Sequence, residues 1–110
     1  MDGGSLAFAP AGNWLAVWRR ERTVFASEAS TPERQLTGDA AQAVAAYAGK
    51  APLIVWEASG ALMLQRGSAA PVRFAENAAA ASIASGPETA VIAWEATVSG
   101  AKTILLDRVR

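Results

Sequence analysis

Three of the four tryptophans recur at one fixed interval, and that interval limits the fold more than any other feature of the chain. Trp18, Trp56 and Trp94 lie 38 residues apart. Each stands near the end of the same kind of apolar string: Leu15-Ala16-Val17-Trp18-Arg19, Leu53-Ile54-Val55-Trp56-Glu57 and Val91-Ile92-Ala93-Trp94-Glu95. A period of a few tens of residues marks a small structural unit that cannot bury its apolar face alone and stacks on copies of itself. The match continues downstream. Val24-Phe25-Ala26-Ser27 aligns with Leu62-Met63-Leu64-Gln65, and with Ile104-Leu105-Leu106-Asp107 after about four extra residues in a turn at 96–102. Arg34-Gln35-Leu36-Thr37 aligns with Val72-Arg73-Phe74-Ala75, and the third copy lacks this segment. Upstream of each tryptophan, Leu6-Ala7-Phe8 aligns with Ala43-Val44-Ala45 and Ser82-Ile83-Ala84. The unit is thus four short apolar segments, repeated over 5–37, 38–75 and, incompletely, 76–110. Residues 1–4 read as a flexible leader without the apolar stretch of a signal peptide.

Local propensity pulls against this. Residues 39–48 and 76–84 are Ala-rich, with Asp39 placed like a helix N-cap and Gly49 like a terminating glycine. The equivalent first segment contains Phe8 and Pro10 and has no helical character, so equivalence predicts strands in all three. The tryptophan strands are apolar on both faces, Leu15 and Val17 against Trp14, Ala16 and Trp18, so neither face is expected to be wet. The segments at 34–37 and 72–75 alternate with Arg and Gln, as an exposed edge strand does. A small inner strand, two buried middle strands and a polar outer strand make a propeller blade. The expected fold is therefore all-β: three four-stranded antiparallel blades, the last incomplete. The alternative is a β-trefoil, whose strands are apolar on one side only.

At this level the chain resembles sialidase-like (bacterial neuraminidase repeat) β-propellers. Leu53-Ile54-Val55-Trp56-Glu57, Trp94-Glu95-Ala96-Thr97, Gly100 and Ile104-Leu105-Leu106-Asp107-Arg108 carry the likeness. No repeat holds the family's Asp-box, Ser-x-Asp-x-Gly-x-x-Trp. Propellers usually have about four to eight blades, and roughly three blades would leave two large apolar faces in water. Closure of a six-bladed ring by homodimerisation is the expected remedy, the chain being in effect a propeller fragment.

Composition narrows the chemistry. The chain has no His and no Cys, and 10 basic residues balance 10 acidic ones. No usual zinc site, thiol nucleophile or Ser-His triad can be assembled, no cofactor motif is present, and no charge excess points to nucleic acid or an anionic membrane. Only 30 residues are Leu, Ile, Val, Phe, Trp, Tyr or Met, against 27 Ala, so any core is built largely from small side chains. The resemblance implies an Arg cluster gripping a sugar carboxylate and a Tyr nucleophile. Arg19, Arg20 and Arg22 cluster in one turn, and Tyr47 is the sole tyrosine; neither feature recurs in the other repeats. Glu57 and Glu95 are equivalent and would place acids on one rim of the ring. Trp14 has no aromatic equivalent, Pro52 and Ala90 filling its slot, and is a candidate for a ligand or interface contact. The expected function is structural and non-enzymatic, a self-assembling scaffold. The alternatives are a carbohydrate-binding module, its site on the face bearing the turns after the tryptophan strands, and a piece of a sialidase-like hydrolase.

Overall fold

The computed structural model describes residues 4–29, 32–38 and 40–110. The described residues form eleven β-strands and no helix. The first sheet is antiparallel in the order β1 (Gly4–Phe8), β2 (Trp14–Arg20), β3 (Thr23–Glu28), β4 (Arg34–Gly38). The middle sheet follows the same order with β5 (Ala41–Ala48), β6 (Ala51–Ala58), β7 (Ala61–Arg66) and β8 (Val72–Glu76). The third has β9 (Ala78–Ala84), β10 (Ala90–Val98) and β11 (Ala101–Val109). Both Ala-rich stretches are strands, β5 and β9, against their helical propensity. Gly4, read above with the leader, opens β1 opposite Trp18. Residues 1–3 of that leader and Asp39 lie outside the described residues.

The pairing register places the tryptophans alike. Trp18 opposes Phe25, Trp56 opposes Met63 and Trp94 opposes Leu105. Tight hairpins hold this register. Ser59 and Gly60 between β6 and β7, and Ser99 and Gly100 between β10 and β11, all have positive φ, the two-residue turn whose twist matches that of the flanking strands. The four extra residues of the third sheet therefore do not enlarge a turn at 96–102; they lengthen β10 and β11. The inner-strand alignment is also corrected. Leu15 opposes Ala7, Leu53 opposes Ala46 and Val91 opposes Ala84, so Ala7 corresponds to Ala46 and Ala84, and not to Val44 and Ile83. For β5 the cause is an unequal connection: residues 9–13 join β1 to β2, whereas Gly49 and Lys50 alone join β5 to β6.

Two cores lie between the sheets. Leu15, Val17, Val24 and Ala26 of the first sheet bury against Ala45, Tyr47, Ile54 and Trp56 of the middle one. The opposite face of the middle sheet, with Leu53, Val55, Leu62 and Leu64, buries against Ile92 and Trp94 of the third. Trp94 points into the middle sheet and Trp56 into the first. Trp18, by the same alternation, lies on the outer face of the first sheet. That face stays open, with Leu6 60% and Phe8 61% exposed beside half-buried Trp18 and Phe25. The outer face of the third sheet is open too, with Ile104 62% and Leu106 67% exposed beside Val91.

The inner strands converge on β5, which touches both β1 and β9. Backbone N–H groups there need partners, and serines supply them: Ala45 N donates to Ser5 Oγ (3.1 Å) and Tyr47 N to Ser85 Oγ (2.9 Å). Small side chains let these strands come together, which is what the Ala-rich composition of β5 and β9 provides.

Candidate functional site

The seven candidate residues separate to the two ends of the sheets. Trp14 and Tyr47 come together at the end where β1 turns into β2 and β5 into β6. They line one cleft of about 190 Å³, with Asn13, Glu28, Lys50 and Pro52. Tyr47 is fixed from both sides, because its N–H donates to Ser85 Oγ and its carbonyl accepts from Gly86 N (3.3 Å). Its ring packs in the core between the first and middle sheets and is almost fully buried. Trp14 starts β2, on the side shared by Ala16 and Trp18, and its carbonyl accepts from Ala29 N (3.1 Å). A wider hollow of about 490 Å³, walled by Ala9, Pro10, Ala11 and Pro87, adjoins across Asn13, Gly49 and Lys50. With the Tyr47 ring committed to the core, Trp14 (36% exposed) is the ring free to stack on an apolar ring face, beside one acid and one base that can hydrogen-bond its substituents.

The other end carries Arg19, Arg20, Arg22, Glu57 and Glu95, and most of these are engaged structurally. Arg20 lies over the Phe25 ring (4.2 Å) and pairs with Glu33 (3.4 Å). Arg22 is exposed on the two-residue turn between β2 and β3. Arg19 is half-buried, and its Nε has no hydrogen-bond partner among the described residues. Glu57 accepts from Ala80 N (3.0 Å), tying the middle sheet to a left-handed residue of β9. Glu95 pairs with Lys102 (3.3 Å) and lines an open cleft of about 610 Å³ with Asn77, Thr97 and the hairpin glycines Gly60 and Gly100. Glu57 is not among the residues lining that cleft, so the two equivalent acids do not face each other across it. The face expected to carry a ligand site and the face holding Trp14 and Tyr47 are therefore opposite ends of the stack.

No family model, curated protein or solved structure matches this chain. Its chemistry is accordingly read from the residues themselves. Burial raises the Tyr47 phenol above its usual value of 10.0, and the Glu28 carboxylate raises it further. The phenol is thus held neutral, which is the opposite of what a tyrosine nucleophile needs. Because the folded-state value is the higher one, the associated stability is fully present below about pH 10 and is lost as pH rises through the raised value. Tyr47→Phe should abolish that alkaline component while leaving neutral stability within about 1 kcal/mol. Urea unfolding of both proteins at neutral and strongly alkaline pH reads this directly.

Three polar residues of the small cleft were not singled out from sequence: Asn13, Glu28 and Lys50. A signal existed for two of them. Gly12-Asn13 and Gly49-Lys50 both immediately precede a tryptophan strand, and both glycines have positive φ (93° and 61°). Glu28 gives no such sign, since only the packing of two sheets brings it near Tyr47.

Proposed function

We propose that this chain is a non-enzymatic, self-assembling propeller module, two copies of which close a six-bladed ring of the sialidase-like kind. The observation that carries the reading is the difference between Trp18 and its counterparts. Trp56 and Trp94 each fill the junction to the preceding sheet, while Trp18, at the same register, lies on an open apolar face. The face needed to cover it is of the kind already used twice. Val91, Ala93, Ile104 and Leu106 are the register counterparts of Leu53, Val55, Leu62 and Leu64, and they are exposed to differing degrees. Two-sided burial of the middle sheet favours blades over a β-trefoil, whose hairpins share one core. Light scattering on a sizing column should give about 22.8 kDa, twice the 11.4 kDa chain. A compact single chain at that test would end the ring reading and return the trefoil.

The cleft of Trp14 and Tyr47 favours a second reading, a carbohydrate-binding module. Saturable change of tryptophan fluorescence across a glycan panel would support it. A hydrolase fragment draws less support, because Tyr47 is held protonated and Glu57 and Glu95 do not line a common cleft.

A further inference from the structure

Among the described residues one buried side-chain polar atom lacks a hydrogen-bond partner, and it belongs to a charged group. It is Nε of Arg19. A guanidinium offers donors only and cannot shed its charge, so a buried Nε–H without an acceptor is costly. Arg19 continues the row of β2 side chains begun by Leu15 and Val17, which bury against the middle sheet. Its place is therefore inside the stack, where the core between the first and middle sheets gives way to the turn.

The next junction has an acid at this position. Arg19 opposes Val24 as Glu57 opposes Leu62, so the two are register counterparts. Glu57 reaches the third sheet, where its carboxylate accepts from Ala80 N (3.0 Å). Ala80 has a φ of 55° and lies in the irregular step of β9 between Ala79, opposite Glu95, and Ser82, opposite Ala93. β5 carries the same irregularity. Ala41 opposes Glu57, Val44 opposes Val55, and Gln42 between them has a φ of 52°. Gln42 is thus the counterpart of Ala80, and the first junction sets Arg19 against the kind of bulge that the second sets against Glu57. A carboxylate accepts the N–H of such a bulge; Arg19, a donor only, cannot. By this equivalence, donors from two sheets meet where the next junction has a carboxylate.

We propose that the junction between the first and middle sheets is a binding site for a small free oxyanion, held between Arg19 Nε and the Gln42 N–H in the place that the Glu57 carboxylate takes at the next junction. One oxygen accepts from the guanidinium and another from the backbone, the bond to the guanidinium being charge-assisted at both ends. The anion is small, because the group it stands in for is two oxygens on one carbon. It is also held by one arginine and not by a cluster. Arg20 is committed to Phe25 and Glu33, and Arg22 is exposed on its turn. Binding ties the two sheets together and so stabilises the folded chain.

The test is the melting temperature of the intact chain in sodium acetate and in inorganic phosphate, with sodium chloride keeping ionic strength constant and protein concentration fixed. The parent should gain about 4 °C or more at saturation with at least one of the two oxyanions, the larger gain telling a carboxylate site from a phosphate site. Arg19→Glu supplies the missing carboxylate from the chain itself. It should melt higher than the parent in chloride and gain nothing further from either oxyanion. Arg19→Gln removes the charge alone and should also lose the response, which keeps the comparison readable if Arg19→Glu folds poorly. Arg66→Gln removes a charge from an exposed position of β7 and should respond as the parent does. A parent that gains nothing over chloride would overturn the proposal, water then being all that Arg19 Nε needs. An equal gain in Arg19→Gln would overturn it too, because excluded salts stabilise folded chains without any site.

Discussion

Trp56→Ala should destabilise the chain by roughly 3–5 kcal/mol, as large aromatic deletions in a packed core do, and Trp18→Ala should not. The two residues share one register and one residue type, so the comparison isolates burial. Trp56 is 2% exposed, packed between Ala45, Tyr47 and Ile54 on its own sheet and Leu15 and Val17 on the next. Trp18 stacks on Phe25 (6.1 Å, 17°) but has no second sheet above it. A domain of this size has about 5–15 kcal/mol of stability in total, so Trp56→Ala removes a large share. Trp18→Ala at low concentration should cost about 1 kcal/mol or less, typical of a partly exposed site. As concentration rises the two variants should diverge in kind, because stability that comes from association depends on concentration. Equal losses for both variants at every concentration would mean that Trp18 is covered within a single chain.

The strands that carry tryptophan were legible because their side chains are large and distinctive, so one alignment fixes all three. The inner strands were legible as strands only through equivalence. Their exact alignment was not, because a run such as Ala43-Val44-Ala45-Ala46 offers no bulky marker. A slip of one or two residues there leaves the sequence pattern almost unchanged, and the register is set by connection length and by Ser5 and Ser85. The lengthened hairpin of the third sheet was misplaced for a related reason. Extra residues look alike in a sequence whether they widen a turn or extend two strands, and only the paired positive φ of Ser99 and Gly100 decides. For the candidate site, Trp14 and Tyr47 were each visible as unusual residues. Their convergence on one cleft depends on how two sheets stack, which no local pattern encodes.

Opposite charges placed on the two open faces should each abolish self-association and, when mixed, restore it. Leu6→Glu alters the face of Trp18, and Leu106→Lys alters the face of Ile104. The residues are paired by register: Leu6 stands opposite Ala16 as Ala45 stands opposite Ile54, and Leu106 corresponds to Ala26. Ala26 and Ala45 are buried together in the core between the first and middle sheets, so their counterparts belong to one junction between copies. Burying an unpaired charge there costs several kcal/mol, enough to leave each variant near 11.4 kDa. A head-to-tail ring gives each chain one face of each kind. In the mixture one junction is then unaltered, and the other brings Glu against Lys, so a species of two chains should return. Pairing of like faces predicts a different pattern: one of the two variants would associate as well as the parent, and mixing would rescue nothing. If head-to-tail contacts formed but their rotation did not close at two chains, the parent's mass would climb with concentration without a plateau, and the six-bladed ring would give way to an open stack of the same blades.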